Sequence, residues 1–461
     1  MPYCNGHSCQ GQGDLGAVEE DVGRPSWKID PRTSAIEKKT AVISRNESTE
    51  GFVGICSDRR RKLVLHFDVR NTILVSDSVT HDDVEQALNS FFTAVTWGRE
   101  EPTGWVWYSD RPSLRAPCPG AVTYYKSRER ELVRSPADRI RLRHITGNFT
   151  RQQIGHKFRK YFDAHLRLLE WNLSPNSNYK CDVDPASSGS ELPTRTKPEA
   201  VSVDRKLTVV GANGRLYHYL LPSFIKMLFD LQADGRRFSV ILRTYGVDAP
   251  KVLDSIAHVA AGNHSMFPVR LPIDINRKPG YIRRQPSGCI CCELPPTTDG
   301  TGHTPPPTPV VLETDADIYR YLSSVEGVCG FVDDFRFWQE HDYAQSHGKP
   351  LWIDVTDRDV QHVFFDDNIR VADVDSIVDV RLFDGDDCAS TSGSGCPAVA
   401  RSLPVGEIAQ LEGVCLVQAD LLESTSNIDY FIDNVRRCEV NYSAWLQQRR
   451  RSGVPWQESD T

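Results

Sequence analysis

No stretch of this 461-residue chain strings together the ~18 apolar residues that a membrane helix needs, so no membrane-spanning segment is expected. Residues 1–30 lack the apolar core of a secretory signal and the Arg-rich face of an organellar presequence, and the expected compartment is cytoplasmic. Outside the secretory route, Asn148-Phe149-Thr150 is no glycosylation acceptor. An excess of positive charge is missing too. The formal net charge is −8, which argues against a nucleic-acid or membrane-surface binder. No internal repeat is present. Gly211-Ala212-Asn213-Gly214 lacks the full glycine pattern of a dinucleotide or phosphate-binding loop and reads as a turn. Thirteen cysteines, an odd count scattered over a long chain, fit reduced thiols better than a disulfide framework. What is there, 39% hydrophobic and 25% charged residues, is the composition of a soluble globular protein.

Residues 1–58 are dominated by Gly, Ser, Asp and Glu without apolar periodicity and read as a disordered leader. Its Cys4 and Cys9 fit no strong metal-ligand spacing. Leu63-Val64-Leu65-His66-Phe67 reads as a buried strand. Thr80, with Asp83 at the capping-box position, predicts a helix carrying Val84, Leu88, Phe91 and Val95. Further strands are expected at 207–210, 238–243, 330–332, 351–353, 362–365, 377–383 and 414–418. Helices are expected at 150–171, 252–261, from about 426 onward, and at 222–233, where Pro opens the segment and Gly235 lies just past its end. This alternation predicts an α/β fold with a mainly parallel sheet flanked by helices. The core then comprises 59–80 and 200–448. Residues 81–199 form a cap or flap insertion, 175–204 read as a linker or surface loop, 276–310 as a Pro- and Cys-rich loop and 449–461 as a charged tail. Cys289, Cys291 and Cys292, even with His303, lack a standard zinc spacing. Residues 139–160 carry seven Arg or Lys and no acid, either a solvated helix face or a wall that attracts an anionic substrate.

In open parallel sheets the ligand crevice lies at the carboxyl ends of the strands. Asp68 follows Phe67, Thr244 follows Leu242-Arg243, and Asp366-Asp367 follow Phe365. If these strands are neighbours, three carboxylates and a hydroxyl share one edge. Such a set suits a hard divalent cation, since Mg²⁺ prefers oxygen ligands and pairs with one or two carboxylates plus a substrate phosphate.

Asp68-Val69-Arg70-Asn71-Thr72-Ile73 after its apolar strand resembles the first motif of the haloacid dehalogenase-like (HAD) superfamily. Thr244 is similar to the second motif, Lys349 in Gly348-Lys349-Pro350-Leu351 to the third, and Phe364-Phe365-Asp366-Asp367 to the acidic fourth, in the family's order. The resemblance implies a Rossmann-like core and a Mg²⁺-dependent phosphohydrolase or phosphotransferase. Asp68 would form an aspartyl-phosphate, Lys349 would hold it, and Thr244, Arg70 and Asn71 would contact the substrate phosphate. Mg²⁺ would be held by Asp68, the Arg70 carbonyl, and Asp366 or Asp367. The partner would be a phosphorylated small molecule or a phosphoprotein. Where the family's phosphatases carry a second Asp as general acid/base, this chain has Arg70, which cannot shuttle protons. The rate is then expected to be low, with Asp77 as a nearby substitute donor. The alternative is a catalytically impaired relative that binds a phosphorylated ligand or protein. Readings outside the family are a scaffold, with Trp97, Trp105 and Trp107 as a partner surface, and a cysteine hydrolase, for which no local signature exists.

Overall fold

The computed structural model describes residues 60–75, 83–171 apart from 103, 136 and 137, 204–295 apart from 286, 309–370, 376–383 and 400–452. The leader 1–58, Asp77, Thr80, most of 175–204, His303, the loop 385–397 and residues 453–461 lie outside the described residues.

Three adjacent strands of the large sheet are buried, all but Val360 at the start of the third: Phe238–Thr244, Lys62–Phe67 and Val360–Asp366. They pair side by side and parallel, with Phe67 opposite both Leu242 and Phe365. Burial on both faces is why each reads as an apolar-rich run rather than a strict alternation. Among the described residues the sheet has eight strands. In spatial order they are Val311–Leu312, Ile290–Glu293, Gly280–Arg284, Gly327–Asp333, Phe238–Thr244, Lys62–Phe67, Val360–Asp366 and Leu416–Gln418. The last six run parallel, and the first two pair antiparallel at the edge.

Side-chain alternation sends Leu63, Leu65 and Phe67 to one face, where they meet residues of the helices Pro222–Ala233, Ala249–Ala260 and Tyr430–Ser452. Val64 faces the other way, towards Ile318 and Leu322 of the helix Asp315–Ser324 and Trp352. Trp352 belongs to a second, three-stranded sheet of Lys349–Asp354, Val378–Phe383 and Arg401–Ser402. The expected strands at 351–353 and 377–383 therefore exist but sit outside the large sheet.

Other expectations need correction. Within 276–310, Gly280–Arg284 and Ile290–Glu293 form a hairpin of the large sheet rather than a loop. Its turn includes Gly288 at φ 84°, a backbone that favours glycine, and Ile282, Ile290 and Cys292 are buried. Residues 296–308 lie outside the described residues. The helix Val84–Ala94 is capped by Asp83 itself, in a reciprocal box with Gln86. The expected helix at 150–171 is split into 3₁₀ turns at Phe149–Arg151 and Gln153–Phe158, followed by the α-helix Arg159–Leu168. The last helix starts at Tyr430, after a short one, Leu421–Ser426, and continues to Ser452 into the expected tail. Within 81–199, Phe91, Phe92, Phe149, Phe158 and Phe162 join the same buried cluster as Leu63, Leu65 and Phe67. Among the described residues, no helix is long and apolar enough to cross a membrane.

Candidate functional site

The carboxyl edge of the three central strands gathers acids from two of them. Asp68 is the first residue past Lys62–Phe67, and its N–H donates to the Phe365 carbonyl at 2.8 Å, extending the ladder by one step. Asp366 closes the neighbouring strand and Asp367 follows it, its N–H donating to Thr72 Oγ1 at 3.2 Å. One oxygen from each of Asp68, Asp366 and Asp367 lies within 4.8 Å of the others. Asp366 is fully buried and Asp68 nearly so.

Lys349 enters from the second sheet. Its Nζ donates to Asp68 Oδ1 at 2.6 Å, to Asp366 Oδ2 at 2.8 Å and to the Arg243 carbonyl at 3.2 Å, which occupies all three ammonium protons. The ammonium also lies 5.0 Å from the centroid of the Tyr245 ring. Gly348 permits this approach. A Cβ there would stand 2.1 Å from the Ile377 carbonyl oxygen, the same oxygen that accepts the Lys349 N–H at 2.7 Å.

Charge is not matched in this cluster: one ammonium faces three carboxylates. Burial pushes the Asp68 carboxyl up to about 7; Lys349 opposes the rise and Asp366 adds to it. Burial also pushes Asp367 well above the ordinary carboxylate range, reinforced by Asp366 and then Asp68. Burial works against the Lys349 ammonium, yet Asp366 and Asp68 together hold its pKa above the usual lysine value. Without a further cation the cluster therefore retains protons near neutrality.

Asn71 adopts a left-handed backbone at φ 58°, a conformation that Asn tolerates better than most residues. Its Nδ2 donates to Asp367 Oδ2 at 3.4 Å, while its Oδ1 is buried without a hydrogen-bond partner. Arg70 is half-buried just before it. Thr244 ends the adjacent strand, its Oγ1 accepting the Gly246 N–H at 2.9 Å. The structure thus brings Asp68, Asp366, Asp367, Lys349 and Asn71 together and sets Thr244 on the next strand end. Cys291 and Cys292 are consecutive strand residues and point to opposite faces. Among the described residues, the only His, Cys, Asp and Glu grouping with metal-holding proximity is the acidic one.

Several members were missed in the sequence. Asn368 donates its N–H to Asp366 Oδ1 at 2.9 Å and its Nδ2 to Asp367 Oδ1 at 3.0 Å, steadying both acids. Arg243, whose carbonyl holds Lys349, is itself clamped in a bidentate, buried pair with Asp333 at 2.9 and 2.5 Å. Asp333 ends the strand Gly327–Asp333, so the strand-end rule that found Asp68 applies to it equally. Comparison with family models, curated proteins and solved structures finds nothing that matches this chain.

Proposed function

We propose that this chain is a Mg²⁺-dependent, HAD-like phosphohydrolase or phosphotransferase in which Asp68 is the nucleophile. One observation carries the reading: oxygens of three carboxylates within 4.8 Å of one another, two of the acids bonded to Lys349, at the carboxyl ends of parallel strands. The donor set is all oxygen, as a hard cation requires, and the buried, unpartnered Asn71 Oδ1 stands beside it. Asp68, the Arg70 carbonyl, and Asp366 or Asp367 would hold Mg²⁺; Asn71 would help orient Asp367. When bound, the ion offsets charge between the phosphate and the attacking carboxylate.

The chain's own groups supply the rest. An ionised Asp68 oxygen attacks phosphorus, the P–O bond to the leaving group breaks, and an aspartyl-phosphate forms. Lys349 fixes the orientation of the nucleophile through its 2.6 Å bond. Thr244 at the adjacent strand end would bond a phosphoryl oxygen. Water, or an acceptor hydroxyl in a transferase, then attacks phosphorus and releases the Asp68 carboxylate. Arg70, in the position of the usual acid/base, gives the leaving oxygen no proton. Activated aryl or acyl phosphates, which leave without one, are the preferred substrates.

The test is hydrolysis of an aryl and an alkyl phosphate with and without Mg²⁺. Asp68→Asn is expected to lower aryl phosphate turnover by about 10³-fold or more. Arg70→Asp is expected to raise alkyl phosphate turnover by about 10²–10⁴-fold. Full activity in Asp68→Asn overturns the assignment. Arg70 also favours a second reading, a non-catalytic receptor for a phosphorylated small molecule or phosphoprotein. Inactivity of both wild type and Arg70→Asp, with Mg²⁺-dependent phosphate binding intact, selects that reading instead.

A further inference from the structure

The carboxyl edge of the large sheet carries a run of aromatic rings that the proposed chemistry does not use. Along that edge the neighbouring strands end in Asp333, in Thr244, at Phe67 just before Asp68, and in Asp366. Asp68 thus has the other two acids on one flank. On its opposite flank the chain turns aromatic as it leaves each strand. Tyr245 directly follows Thr244, and Phe335 opens the helix Phe335–Glu340 two residues past Asp333. These rings meet. Tyr245 packs edge-on against Phe335 at 5.5 Å between centroids and stacks on Trp338 at 5.4 Å. Phe335 lies 6.4 Å from both Trp338 and Tyr343. The run begins at the site itself, since the Lys349 ammonium that bonds Asp68 at 2.6 Å is 5.0 Å from the Tyr245 centroid.

The open part of this run is Phe335. Trp338 is stacked on Tyr245 and Arg139 lies over Tyr343, whereas Phe335 is 41% exposed. Val247, two residues past Tyr245, is 76% exposed at the same edge. A single exposed apolar side chain is ordinary; one that borders three half-buried rings beside a charged site forms a surface for an apolar ligand group. The segment is also held in a costly backbone. Asp342 and Tyr343, just past the helix, are left-handed at φ 55° and φ 59°, and the Tyr343 N–H donates to the Trp338 carbonyl at 3.0 Å. A bulky aromatic residue rarely takes this conformation, and such strain persists where surrounding structure holds it, commonly at ligand clamps.

We propose that Phe335, with Tyr245 and Trp338 behind it, receives the aromatic ring of the leaving group, so that the substrate is the phosphate ester of a phenol. The inference rests on the function proposed above, and of the aryl and acyl phosphates allowed there it selects the aryl. Two independent features agree on it. Arg70 offers no proton, and a phenol, which ionises near about 10, leaves as its anion where an alkyl alcohol does not. The rings supply the matching surface, because aromatic pairs gain from edge-to-face and offset contacts that a saturated group cannot make. As the bond from Asp68 to phosphorus forms, the bond from phosphorus to the phenolic oxygen breaks. Its electron pair leaves on that oxygen, spread into the ring, and solvent protonates the phenolate afterwards.

Titration calorimetry in Mg²⁺ tests it with methylphosphonate, cyclohexylmethylphosphonate and benzylphosphonate, in which a CH₂ replaces the bridging oxygen of a phenyl ester. The wild type is expected to bind benzylphosphonate about tenfold tighter than methylphosphonate, with the saturated ring weaker than the aromatic one. Phe335→Ala is expected to bring the benzyl-to-methyl ratio close to one. Phe335→Leu, which keeps bulk but not the ring, is expected to fall between; thermal melts establish that each variant is folded. A peptide carrying phosphonomethylphenylalanine separates the sources of the ring. Binding tighter than benzylphosphonate identifies a tyrosyl phosphate in a protein, and equal or weaker binding identifies a small phenol. A ratio near one in the wild type, a ratio unchanged in both Phe335 variants, or a saturated ring bound as tightly as the aromatic one overturns the ring site. Failure of the function itself has a different signature: methylphosphonate binding indifferent to Mg²⁺ and to Asp68→Asn, whatever the ratio. A wild type that binds no probe overturns both.

Discussion

Two buried ionic clusters flank the contact between the large sheet and the small one, and they are built to opposite rules. In one, Arg243 pairs with Asp333, Arg284 with Asp379 and Arg381 with Asp315, at 2.5, 2.7 and 2.9 Å. Three cations meet three anions, and Ser402 and the Trp352 indole N–H take up further carboxylate oxygens at 2.5 and 2.7 Å. In the other, Lys349 bonds Asp68 and Asp366, and Asp367 brings a third carboxylate within 4.8 Å. Desolvating an ion costs several kcal/mol, and only a well-paired partner offsets it. The matched cluster meets that condition within the chain. The unmatched one leaves it unmet, which is the reason to read it as a place for a cation and a phosphate and to read the other as structure.

The difference can be broken open by mutation, and the largest effect belongs to the matched cluster. Arg243→Ala strands Asp333 in the core and should lower unfolding free energy by about 3–5 kcal/mol in denaturant melts. Asp367→Asn removes surplus charge from the unmatched cluster and should raise the melting temperature measured without divalent cations. Equal destabilisation by both substitutions would erase the distinction.

The next effect is cation-dependent. Mg²⁺ at a hundredfold excess over its Kd should stabilise the wild type by about 2.7 kcal/mol and Asp367→Asn by less. The sign with pH follows from the raised carboxyls. Asp68 and Asp367 hold protons in the folded state above the unfolded carboxylate range, so cation-free stability falls as pH rises towards and through about 7. The cation competes with those protons, and its stabilisation should be greater at pH 8 than at pH 6. A Mg²⁺ shift in melting temperature that is flat over this interval contradicts the unmatched-charge account.

A smaller, opposite slope is expected from a buried neutral pair beside Arg243. His66 and His362 bond ring to ring at 3.0 Å, and burial pushes His362 down to about 3. Its unfolded counterpart protonates near 6.5, so its share of stability is complete above that value and is lost as pH falls below it. The loss approaches about 1.4 kcal/mol per pH unit for one proton. Urea melts between pH 7 and pH 5 should show a shallower slope in His362→Gln than in the wild type.

The middle of the sheet was legible because strands covered on both faces are mostly apolar; 63–67, 239–243 and 362–365 announce themselves as short apolar-rich runs followed by Asp or Thr, the few polar members such as His66, Arg243 and His362 being paired inside. The helix Pro222–Ala233 was equally legible, from Pro at its start and Gly just past its end. The hairpin Gly280–Arg284 and Ile290–Glu293 was not. Its inward positions alternate with arginine and a second cysteine, and nearby prolines suggest a loop. Nor does local pattern tell which sheet a strand joins, so the placement of Lys349–Asp354 in a separate layer was invisible. The acids at strand ends were legible one by one.

That separate layer has a consequence for where sensitivity to mutation will lie. Asp68 is registered by a backbone ladder, whereas Lys349 belongs to a sheet that shares no ladder with it among the described residues. The ammonium is therefore aimed by the stacking of one layer on another, through contacts such as those of Leu351 and Ile353 with Phe364. Stacked layers slide more readily than hydrogen-bonded neighbours shift register. A methyl group lost from that seam would act on the lysine like a loosened hinge on a latch, detuning its grip on Asp68 from a distance with every polar residue still in place.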